Sequence, residues 1–103
     1  MELARGLYAR RWAQASPRER RYLRAVAELQ ATGAPVTGTV AQRLGTVAKN
    51  LASARDRLIE KGTLTSADDE LSFTVPGIGA YILGLADQDR ARSHRLLGPD
   101  LGR

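Results

Sequence analysis

Arginine is the residue type in this sequence with the most chemistry to offer. The chain has 103 residues and 16 cations, and only Lys49 and Lys61 are not arginine. A guanidinium is a planar fork of donors that fits phosphate oxygens and the edge of guanine. Arg18, Arg20, Arg21 and Arg24 cluster in one short stretch, with Arg10 and Arg11 just before it. A second set, Lys49, Asn50, Ser53 and Arg57, falls on one side of a later helical segment. There lysine can meet phosphate or guanine, and asparagine can read adenine. A GC-rich coding sequence also favours arginine, so residue choice alone names no partner.

The counts remove other chemistries. With no cysteine there is no disulfide, thiolate zinc site or cysteine nucleophile. The single histidine, His94, lies in a polar stretch near the C-terminus, so one chain cannot build a histidine triad or a two-histidine metal site. Gly33 and Gly38 have the glycine spacing of a phosphate loop, but Thr39 and Val40 follow where lysine and a hydroxyl are needed. No nucleophile–base pair or convergent acid pair is visible. The chain is read as a binding module rather than an enzyme, with no cofactor and no metal. No apolar run is long enough to cross a membrane. Glu2, Arg5, Arg10 and Arg11 interrupt the apolar stretches that a signal peptide would need. The expected location is the cytoplasm.

The net charge of +5 is unevenly placed. Seven arginines against Glu2 and Glu19 make residues 1–24 strongly basic, residues 25–61 are mildly basic, and residues 62–103 are slightly acidic. A basic balance of this kind suggests a polyanion partner.

The elements that must position these side chains follow from pattern. An N-terminal helix is expected over about 6–15, with Tyr8 and Trp12 at i, i+4. Ser16-Pro17-Arg18-Glu19 reads as a capping box with proline in the first turn. The helix it starts runs to about Gln30, burying Tyr22, Leu23, Val26, Ala27 and Leu29. Val36 is a one-residue strand segment that can pair with something later. Thr37 is the expected N-cap of a short helix with Val40, Ala41 and Leu44, ended by Gly45. Thr46 is the expected cap of a third long helix whose apolar stripe is Val47, Leu51, Ala54 and Leu58, with Gly62 closing it. Thr63–Ser66 and Leu71–Val75 alternate as strands around an Ala67–Glu70 loop. Ile78, Tyr81, Ile82 and Leu85 mark a last helix. Residues 86–103, including His94, read as a charged, disordered tail.

A short helix with a central alanine, a glycine turn and a longer helix make a helix-turn-helix. The hairpin directly after makes it winged. The expected fold is mainly α with a small β-hairpin: a winged helix-turn-helix with an extra N-terminal helix, its core over 16–85 within a domain over 1–85.

Five runs carry a family resemblance: Gly6–Trp12, Ser16–Leu23, Val40–Gly45, Arg55–Gly62 and Phe73–Gly77. Together they resemble the C-terminal winged-helix domain that follows the P-loop ATPase module in many bacterial, especially actinobacterial, ATP-binding proteins. A similar layout occurs in origin-recognition-type AAA initiator ATPases. The Arg-Asp-x-Leu-Ile-x-Lys-Gly run is the most specific part. The resemblance implies a DNA-binding or regulatory module detached from its ATPase.

On this reading Lys49, Asn50, Ser53 and Arg57 face duplex DNA from the third helix. Arg18, Arg20, Arg21, Thr37 and Thr46 contact its backbone. The wing departs from the relatives. Its tip, Asp68-Asp69-Glu70, would be repelled by phosphates by a few tenths to about 1 kcal/mol per carboxylate. Adjacent loop acids of this kind are mostly solvated and are not read as a metal site. The acidic wing leaves open a second reading, a protein-interaction module that docks on an ATPase core or on a second copy of the chain, with Trp12 at the contact.

Overall fold

The structure is a computed structural model that describes residues 2–85, 87 and 88. Four helices come first: α1 (Glu2–Gln14), α2 (Pro17–Gln30), α3 (Thr37–Arg43) and α4 (Ala48–Glu60). The hairpin β1 (Leu64–Ala67) and β2 (Glu70–Phe73) follows, and a helix α5 over 78–85 closes the fold. The architecture is mainly helical with one antiparallel two-stranded sheet, laid out as a helix-turn-helix with a hairpin behind it. The expected tail, Asp87 and Gln88 apart, lies outside the described residues, and His94 with it.

The capping box of α2 is present in full. The Glu19 N–H donates to Ser16 Oγ and the Ser16 N–H to Glu19 Oε1, each at 3.1 Å. These bonds satisfy two backbone donors that the helix start leaves without partners. From there α2 presents Tyr22, Leu23, Ala25, Val26 and Ala27 to the core. They meet Val40 of α3, Ala54 and Leu58 of α4, Leu64 and Leu71 of the hairpin, and Ile78 and Ile82 of α5. Each of these elements hides one apolar stripe or face and turns the other to solvent. Trp12, Tyr81 and Phe73 stand half-buried at the edge of this core rather than inside it, as Tyr22 does.

Val36 does find its strand. It bridges Glu70, the Leu71 N–H donates to Pro35 O at 2.8 Å, and the Thr37 N–H donates to Asp69 O at 3.1 Å. These bonds tie the start of the helix-turn-helix to the wing. Gly45 and Gly62 both take positive φ, +72° and +79°, and end α3 and α4 as the sequence predicts.

Four local expectations are corrected. First, α1 starts at Glu2 and stops at Gln14, because Ala15 is buried and Ser16 caps the next helix. Second, the caps of α3 and α4 are Val36 and Val47, not Thr37 and Thr46. At α3 the hydroxyl that reaches back belongs to Thr39, whose Oγ1 accepts from the Val36 N–H at 3.1 Å. Third, Val47 leaves the α4 stripe and is 59% exposed. As N-cap its backbone is extended, which turns its side chain off the helical face. Fourth, the wing loop is two residues, not four. Asp68 and Asp69 both take positive φ, 52° and 69°, the pattern of a tight hairpin turn matched to strand twist. Aspartate tolerates this region better than most residues, and the absence of glycine hid the turn in the sequence.

Helix α1 is fastened by polar bonds as much as by burial. Tyr8 Oη donates to Pro76 O at 2.6 Å, and its ring lies 5.4 Å from that of Tyr81. At Gly77, where φ is +89°, a Cβ would run into the Tyr8 hydroxyl, so glycine is required there for two reasons.

Candidate functional site

Helix α4 supplies the candidate reading face. Lys49, Asn50, Ser53 and Arg57 are all exposed on it, because Leu51, Ala54 and Leu58 turn the other side inward. Asn50 Nδ2 donates to Thr46 Oγ1 at 2.8 Å. That bond uses one amide hydrogen and holds the side chain beside the turn. The second N–H and Oδ1 remain, the pair a bidentate adenine contact employs. Thr46 thus acts by orienting Asn50. The Thr37 N–H is engaged with the wing turn, so it is not open to a phosphate.

The arginines of α2 divide between two flanks. Arg18 and Arg21 face α4, where a groove of about 380 Å³ is lined by both of them with Leu44, Thr46, Asn50, Leu51 and Ala54. A second hollow, which shares Arg18 and Ala54 with the first, is lined by Ser53 and Arg57. Three of the four α4 residues, Asn50, Ser53 and Arg57, thereby meet two of the expected backbone contacts along one seam. Lys49 lies outside that seam on the exposed face.

Arg20 points the other way. Its Nε donates to Trp12 O at 2.9 Å, and its guanidinium stands 5.3 Å above the Trp12 ring, a cation–π contact. Trp12 in turn packs on the core. Arg11 Nη1 donates to Lys61 O at 2.6 Å. Lys61 Nζ reaches Glu19 Oε1 at 2.6 Å and Gln14 O at 2.8 Å. Glu19 is only 4% exposed. Its burial pushes the carboxyl up, but hydrogen bonds from Lys61 and the Ser16 N–H, with the charge of Lys61, hold it below its ordinary 4.5.

Among the described residues three carboxylates are matched by cations: Glu28 with Arg43, Asp56 with Arg55, Glu19 with Lys61. Arg18, Arg21, Lys49 and Arg57 take part in none of these pairs. Sequence reasoning missed that Lys61 and Glu19 join α1, α2 and α4 at one point. Their separation along the chain leaves no local signal. It also did not place Arg43, which lines the hollow between α2 and α3 together with Arg21 and Arg24. The spacing of Arg18, Arg21 and Arg24, at i, i+3 and i+6, was the available clue.

Among the described residues no helix is long and apolar enough to cross a membrane, and no cluster of three acids or histidines could hold a metal ion. No curated protein and no solved structure matches the chain. A family profile described as a domain of unknown function matches residues 5–82, from within α1 to within α5, and the chain therefore belongs to that DUF8462 family.

Proposed function

We propose that the protein is a winged-helix module that binds duplex DNA through α4, with Lys49, Asn50, Ser53 and Arg57 toward the major groove and Arg18 and Arg21 on the flanking phosphates. The observation that carries this reading is the run of four cations along the α2–α4 face with no carboxylate partner among the described residues. A helix with that face free and cations on its flank suits groove entry with backbone grip. The acidic tip keeps the wing off the phosphates. The chain acts as the C-terminal regulatory domain of a larger bacterial P-loop ATPase in the cytoplasm, which would supply the nucleotide chemistry. An in-frame phosphate loop upstream of Met1 is the observation that tests this last point.

Duplex titrations at low and moderate salt test the DNA reading. Lys49→Glu and Arg57→Glu should each weaken binding by about tenfold and flatten the salt dependence by about one phosphate equivalent. Indifference to both reversals sinks the assignment of α4. The acidic wing favours a second reading, docking on a basic protein surface or a second copy. A stable dimer by mass in solution, lost in Trp12→Ala, would support that instead.

A further inference from the structure

Helix α2 carries charges that its own stability does not call for. Arg18, Arg21 and Arg24 recur at i, i+3 and i+6 along one edge, where like charges repel. Arg18 also sits in the first turn, against the helix dipole. Arg24 Nε, like Arg11 Nε on the opposite flank, is buried and has no acceptor; only Arg24 lines a hollow with other arginines.

Arg21 and Arg24 border another hollow, between α2 and α3, of about 540 Å³. Its walls are Arg21, Arg24, Ala25, Glu28, Arg43 and Leu44. The one acid there is matched already, since Arg43 Nε donates to Glu28 Oε1 at 2.6 Å. That bond orients the Arg43 fork and leaves its terminal nitrogens. Arg21 and Arg24 have no counter-ion among the described residues.

We propose that the α2–α3 cleft is a phosphoryl-binding site, with Arg21, Arg24 and Arg43 as its donors and Glu28 as the anchor of Arg43. Three guanidinium forks around one hollow suit a tetrahedral anion with several acceptor oxygens better than a planar carboxylate. Ala25 and Leu44 leave room between them. The phosphoryl group comes either from the backbone of a duplex lying on α4 or from a free phosphorylated compound. The site shares Arg21 with the α4 seam, but Arg24 and Arg43 stand outside that face, so its test rests on them.

The test uses the full chain with inorganic pyrophosphate as the probe, following the arginine Nε–Hε resonances by NMR. Saturable binding that moves the Arg24 resonance is expected. Arg24→Gln and Arg24→Lys should each weaken it by about tenfold, the lysine because it keeps the charge and loses the fork. Arg43→Gln should weaken it as well, and Lys49→Glu should leave it unchanged while reducing duplex affinity. A shift that never saturates, or Arg24→Lys binding as tightly as the parent chain, would overturn the proposal. A short duplex added at pyrophosphate saturation then separates the sources. Release of pyrophosphate identifies the DNA backbone, and a ternary complex identifies a free phosphorylated compound; either result requires the site to exist.

Discussion

The two flanks of α2 use the same residue types for opposite ends. On the α1 flank, Arg11, Arg20 and Lys61 donate to main-chain carbonyls and to Glu19, and Arg20 covers Trp12. On the α3–α4 flank, Arg18, Arg21, Lys49 and Arg57 have no such acceptor among the described residues; Arg18, Arg21 and Arg57 border open grooves, and Lys49 stands exposed beside them. The first set closes the fold; the second faces outward with its charge intact. A cation is a candidate for an outside anion only when the fold has not already used its donors, so segment charge overstates the binding surface of the N-terminal region.

The largest effect should come from the α1 flank. Lys61→Met leaves the buried Glu19 carboxylate without its ion-pair partner and frees the end of α1. A loss of about 2 kcal/mol in urea denaturation is expected, less than a fully buried pair would give because the Lys61 side chain is 34% exposed. The same pair sets an acid limb. The folded carboxyl of Glu19 lies below its unfolded value of about 4.5, so its stabilisation is complete above that pH and fades as pH falls through the folded value. Lys61→Met should flatten that limb. An unchanged limb would mean that Glu19 is not held by Lys61.

A sharper contrast comes from neighbours in sequence. Arg20→Gln should cost about 1 kcal/mol of stability and change duplex affinity less than about twofold. Arg21→Gln should leave stability within about 0.5 kcal/mol and weaken duplex binding several-fold, with a shallower salt slope. Equal behaviour of the two would erase the distinction between the flanks.

The smallest effect is expected at the wing. Asp68→Asn with Asp69→Gly keeps the positive-φ turn and removes two charges, so the hairpin should gain a few tenths of a kcal/mol. Duplex affinity should rise by less than about threefold if the wing stays clear of the phosphates. A larger rise would bring the wing into the contact.

The helices of the core, the capping box at Ser16 and Glu19, and the glycine ends at Gly45 and Gly62 were all legible in the sequence. They rest on spacing and on residues within one turn of each other, where the physics is local. The exposed face of α4 was legible for the same reason, since burying Leu51, Ala54 and Leu58 leaves Lys49, Asn50, Ser53 and Arg57 outside. The threonine caps were each misplaced by one residue, because the extended backbone that marks the N-cap falls at Val36 and Val47, and only the local backbone fixes that position.

What the tertiary structure alone decided is which cations remain available. Lys61 meets Glu19 and Gln14 across more than forty residues of chain, and Arg43 meets Glu28 across fifteen. Periodicity reports which way a side chain leaves its own helix. It does not report which carbonyl or carboxylate another helix brings to that place, and that meeting separates an arginine that holds the fold together from one left free for a partner.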